Sequence, residues 1–100
     1  MGPIKVLIVD DHSLFRRGIA AVLADQDGLD VVGEATDGLE AIQKAKEIAP
    51  DVILMDLSMP HCSGLEATQA IQAEMPQVNV LVLTVSEMHR ESPISLLVAP

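Results

Sequence analysis

Asp10 and Asp11 follow the aliphatic pair Ile8-Val9, Asp56 follows Leu54-Met55, and Thr84, Val85 and Ser86 follow Val82-Leu83. If these aliphatic runs are neighbouring parallel strands, three carboxylates and a hydroxyl meet at one sheet edge. Carboxylates that close repel one another unless a cation or protons intervene. A hard divalent ion suits them, because Mg²⁺ takes one or two carboxylates, keeps several waters and leaves room for a substrate phosphate. Any one of these aspartates reads equally well as a helix cap or turn former. Asp11 or Ser13 is placed to cap a following helix, and Asp51 reads as a turn residue after Pro50. The shared position at strand ends is what points to a site.

The elements that would position these groups show in the hydrophobic pattern. Val6 to Val9, Leu29 to Val32, Val52 to Met55 and Val78 to Leu83 are short runs rich in β-branched residues, nearly continuous as strands buried on both faces are. Between them the period is helical. Phe15, Ile19, Val22 and Leu23 form one stripe from about Ser13 to Ala24. Ala41, Ile42, Ala45, Ile48 and Ala49 form a second between Gly38 and Pro50, with Lys44, Lys46 and Glu47 on the wet side. Leu65, Thr68, Ile71 and Met75 form a third from Gly64 to about Glu74, before Pro76. Strands alternating with single helices imply right-handed crossovers and a parallel sheet, with ligands at the carboxyl ends of its strands.

Composition narrows the function classes. The 100 residues carry a net charge of −9, 49% hydrophobic residues and a mean hydropathy of +0.35, so one α/β domain with a core is expected. Phe15 is the only aromatic residue, which argues against base stacking on nucleic acid, and the charge has the wrong sign for DNA. A single cysteine, Cys62, excludes an internal disulfide framework. No apolar run approaches the roughly 20 residues of a membrane helix. A cytoplasmic setting without membrane or direct nucleic-acid partners is expected. His61 and Cys62 have no partners at metal-ligand spacing, and His89 lies far along the chain.

Together, Ile4 to Val9 with Asp10-Asp11-His12, the segment Asp37-Gly38-Leu39-Glu40-Ala41, the run Met55-Asp56-Leu57-Ser58-Met59-Pro60 with Gly64, and Leu83-Thr84-Val85-Ser86 resemble the receiver domain of two-component response regulators. The wording is most similar to receivers of the nitrate-response class, which precede a helix-turn-helix output domain. The resemblance covers about residues 4 to 87. It implies a flavodoxin-like, doubly wound parallel sheet. It also implies Asp56 as phosphoacceptor, with a histidine kinase or small phosphodonor as the source. Mg²⁺ would be held by Asp11, Asp56 and the backbone carbonyl of Ser58, with Asp10 acting through a metal-bound water. Thr84 would hydrogen-bond the phosphoryl oxygens and swing inward. Such a carboxylate is a covalent nucleophile whose charge development a metal offsets. His12 reads as a rim residue that helps start the first helix, and Arg16 and Arg17 as part of a kinase-docking surface.

The resemblance ends after Glu87. Residues 1–87 read as an incomplete receiver of four strand-helix repeats, and 88–100 as a divergent tail. The family's fifth strand, with its lysine and aromatic switch residue, has no counterpart, and the lysines after Lys5 are Lys44 and Lys46. Loss of that lysine is expected to impair phosphorylation and its readout. Without a fifth strand, Val78 to Leu83 becomes an edge and one sheet face lacks a helix, which predicts a homo-oligomer formed through the edge or the tail. Residues 86 to 93 are short for a parallel crossover, so Ile94 to Ala99 is expected to pair with another subunit. Two other functions compete. One is an assembly fragment that is not phosphorylated. The other is a Mg²⁺-dependent phosphohydrolase, against which stands the lack of a second acid two residues after Asp56. An enzyme turning over an external substrate is not expected.

Overall fold

Aliphatic β-branched runs fit a pleated, buried surface, and here they build a single sheet. The computed structural model describes residues 2–56, 64–85 and 94–98. Strands β1 (Ile4–Val9), β2 (Leu29–Ala35), β3 (Val52–Asp56) and β4 (Asn79–Val85) alternate with helices α1 (Ser13–Ala24), α2 (Gly38–Ile48) and α3 (Gly64–Glu74), and β5 (Ile94–Val98) follows. The order across the sheet is β2-β1-β3-β4-β5. The first four strands pair in parallel, as their continuous apolar runs predict.

The last strand corrects the expectation of an open β4 edge. β5 pairs antiparallel to β4 within the same chain, with Val85 opposite Ile94 and Leu81 opposite Val98. An antiparallel return needs no long crossover, so the short link between Ser86 and Pro93 is no obstacle. The β4 edge is therefore already occupied, and the sheet ends at β2 and β5.

Strand alternation divides the buried residues between two faces. Leu7 and Val9, Ile53 and Met55, and Val80 and Val82 join Ala41 and Ala45 of α2 and Ala67 and Ile71 of α3 in one core. Val6 and Ile8 point the other way, toward the side where α1 packs on β1 and β2. Two stripe assignments change. Leu65 is 58% exposed, because α3 turns Gly64, Ala67, Thr68 and Ile71 inward. No residue of α1 is buried, and Leu14 and Val22 stand in solvent at 84% and 63% exposure.

Helix α2 carries caps at both ends. Asp37 accepts the Glu40 N–H at 2.8 Å, and Glu40 reaches back to the Thr36 N–H at 2.6 Å, in the manner of a capping box. At the other end Ala49 is exposed and left-handed, with φ of 53°, while its N–H donates to the Ala45 carbonyl. That conformation costs a non-glycine residue about 1–2 kcal/mol. The greater freedom of glycine in the unfolded chain offsets roughly 0.4–1 kcal/mol. Ala49→Gly is therefore expected to raise the thermal midpoint by a few degrees in a circular dichroism melt, and a lower midpoint would contradict the left-handed cap.

Candidate functional site

Parallel register carries the site residues to one edge. Val9 lies opposite both Ala35 and Met55, so Asp10 begins just past β1 beside Asp56, the last residue of β3. Asp56 lies opposite Leu83, which places the Thr84 backbone one step further along β4 at the same edge. Asp10 and Asp56 are 2% and 3% exposed. Asp10, Asp11, His12 and Asp56 each present one donor atom, and these atoms all lie within 4.8 Å of one another. The expected carboxylates Asp10, Asp11 and Asp56 are thus brought together. Ser58, His61, Cys62 and His89 lie outside the described residues. The donor chemistry fits a divalent cation, since three carboxylates repel and two of them are cut off from the water that would otherwise solvate them.

His12 belongs to this cluster, which the sequence reading missed. It is the N-cap of α1, but its side chain makes no cap bond. Nδ1 lies instead 3.2 Å from Asp10 Oδ1 and 3.0 Å from Asp11 Oδ1, and the His12 backbone N–H donates to Asp10 Oδ1 at 2.8 Å. The only signal was its place directly after the acidic pair. The hydrogen bond to Asp10, followed by the charges of Asp11, Asp10 and Asp56, raises the imidazole pKa above its ordinary 6.5, with desolvation opposing weakly. A group whose pKa is raised by folding stabilises the fold fully below its unfolded pKa, and that contribution fades as pH rises through the folded value. In metal-free protein, an NMR titration of the His12 ring is expected to show a midpoint above that of a free histidine. Asp10→Asn is expected to lower it, and an unmoved midpoint would show that the contact does not form.

Further residues fix the edge in place. Arg16 donates from Nε to Glu34 Oε1 and from Nη1 to the Asp10 carbonyl, both at 2.7 Å, so it ties the loop after β1 to β2. These bonds hold the Arg16 side chain inward at 14% exposure, whereas Arg17 is exposed. Lys44 donates to the Glu34 carbonyl and is half-buried, a correction to its placement on a wet face. Lys46 does face solvent, paired with Glu74. Asp51 does more than turn the chain. Its Oδ2 accepts the Lys5 N–H at 2.9 Å, and its carbonyl accepts the Asn79 N–H at 3.1 Å.

Buried aspartates at the carboxyl ends of adjacent parallel strands occur on many sheets, and the comparison with known proteins decides among them. Residues 6–96 match the response regulator receiver domain family. The chain belongs to that family. Receivers are phosphorylated on an aspartate, take the phosphoryl group from histidine kinases and bind Mg²⁺ at an acidic pocket. This receiver is 54% identical over 84 residues to response regulator GacA of Pseudomonas syringae pv. syringae (strain B728a), covering 84% of the chain and 39% of that protein. It is 53% identical over 81 residues to response regulator protein VraR of Staphylococcus aureus (strain NCTC 8325 / PS 47), covering 81% and 39%. The signal receiver domain of NarL from Mycobacterium tuberculosis superposes with a TM-score of 0.81 at 33% identity, covering 87% of this chain and 70% of that one. The receiver thus spans 39% of the length of these curated relatives. The expected flavodoxin-like sheet of parallel strands with alternating helices and the resemblance to receivers of the nitrate-response class are borne out. Among the described residues, no helix is long and apolar enough to cross a membrane.

Proposed function

We propose that Asp56 is the phosphoacceptor of this receiver, supplied in the cytoplasm by a cognate histidine kinase or a small phosphodonor. The observation that carries this reading is the burial of Asp56 at the end of β3, within 4.8 Å of the donor atoms of Asp10 and Asp11. A carboxylate oxygen of Asp56 attacks phosphorus, the bond from phosphorus to the donor breaks, and the leaving group departs with its electron pair. Asp10, Asp11 and Asp56 would hold Mg²⁺, which would offset negative charge on the phosphoryl oxygens. Arg16 holds the Asp10 backbone in position. Thr84, one step beyond the residue opposite Asp56, supplies a hydroxyl to the phosphoryl group. The phosphoryl chemistry occurs on the chain itself, without turnover of an external phosphomonoester.

Incubation with acetyl phosphate and Mg²⁺, followed by intact-mass spectrometry, tests this. One added phosphoryl group, roughly 80 Da, that disappears when EDTA replaces Mg²⁺ is the expected result. A folded sample that gains no mass would instead favour an assembly role. One observation supports self-association beside the phosphoacceptor role: Leu14, Phe15, Gly18, Ile19, Val22 and Leu23 line an open apolar groove on α1. A second copy would bury this face, whereas the β4 edge is already taken by β5. Light scattering on a size-exclusion column is expected to give a dimer that Val22→Glu dissociates, and a wild-type monomer at micromolar concentration would refute it.

A further inference from the structure

We propose that His12 is a nitrogen ligand of the acidic pocket and shifts its preference from Mg²⁺ toward Mn²⁺, Co²⁺ and Ni²⁺. This rests on the reading of the pocket as a divalent-cation site and adds a donor that the carboxylates do not supply. Nδ1 lies 3.0 Å from Asp11 Oδ1 and 3.2 Å from Asp10 Oδ1. Neighbouring ligands on an ion with bonds of about 2.1 Å stand about 3 Å apart, so the imidazole has the spacing of a member of the donor set. The ring is bonded to nothing else among the described contacts, and its side chain is 70% exposed, so it can turn onto an ion without disturbing the core.

Donor type then decides which ion gains. Mg²⁺ favours oxygen and gives up its waters reluctantly, so one imidazole adds little to its binding. Imidazole suits first-row transition ions, whose affinity rises from Mn²⁺ through Co²⁺ to Ni²⁺. The receiver is therefore expected to discriminate for Ni²⁺ over Mg²⁺ by a margin that depends on His12 and not on the carboxylates alone.

Calorimetric titration of the whole chain with MgCl₂ and NiCl₂ at pH 8 tests this, using wild type, His12→Asn and Asp56→Asn. Asparagine is a favourable N-cap, so His12→Asn leaves α1 intact. His12→Asn is expected to weaken Ni²⁺ binding at the site by at least about tenfold and Mg²⁺ binding by less than about twofold. In wild type, Ni²⁺ is also expected to shift the His12 ring resonances, an effect that excess Mg²⁺ reverses. Equal Ni²⁺ affinity in wild type and His12→Asn, with Mg²⁺ still bound, would overturn the proposal alone. Mg²⁺ and Ni²⁺ binding that ignores Asp56→Asn would overturn both the proposal and the reading of the pocket beneath it.

Discussion

Asp56→Asn is expected to abolish phosphoryl incorporation while leaving the fold intact. Asparagine has nearly the shape of aspartate, so the end of β3 keeps its packing, but the amide oxygen carries no charge with which to attack phosphorus. Nothing else in the cluster can substitute. Asp10 Oδ1 is engaged by the His12 backbone N–H and lies against the imidazole, while Asp11 stands at the rim beside the same ring. Phosphoryl transfer relies mainly on positioning and charge stabilisation, so a carboxylate displaced from the acceptor position is a poor replacement. Intact mass should show full loss of the phosphoryl gain, with circular dichroism unchanged from wild type. Retained labelling of the variant would place the acceptor on another residue, with His12 first to be examined.

Leu7→Ala is expected to have the largest effect on stability. Leu7 is fully buried on β1, between Gly33 of β2 and Ile53 of β3, and faces the core shared with α2 and α3. The packing there is tight. A methyl placed on Gly33 would meet the Leu7 side chain at 3.3 Å and the Ile48 side chain at 2.9 Å, so little slack exists for a cavity to collapse into. Leucine-to-alanine changes at such sites cost about 3–5 kcal/mol, a large share of the roughly 5–15 kcal/mol that holds a domain together. Urea denaturation followed by circular dichroism is the suitable probe, because the chain has no Trp or Tyr to report by fluorescence. A loss below about 1 kcal/mol would mean that the Leu7 side chain is not in the core.

Much of this site can be seen in the residue order. Aliphatic runs buried on both faces announce the parallel strands, and an aspartate directly after such a run stands at the edge where ligands bind, so Asp10, Asp11 and Asp56 could be placed before any coordinates. Periodicity located helices α1, α2 and α3. What it did not reveal depends on contacts between segments distant in sequence. Ile94 to Val98 reads as strand or helix alone, and only the antiparallel pairing with β4 decides. Arg16 and Lys44 look solvated by type, yet both close on Glu34, 18 and 10 residues away. Asp51 resembles a turn residue until Lys5 comes alongside it, 46 positions earlier. His12 carries no periodic signal, because its role arises from a ring torsion that turns Nδ1 back onto the acidic pair.

Chemical identification of the phosphorylated group tests the central claim most directly. Hydroxylamine converts an acyl phosphate to a hydroxamate and leaves a phosphohistidine without that mark. Treatment of acetyl phosphate-labelled protein with hydroxylamine, then peptide mass mapping, is expected to give a hydroxamate at Asp56 and unmodified Asp10 and Asp11. A mark at another carboxylate, or a label carried by His12, would contradict the assignment of Asp56 as phosphoacceptor.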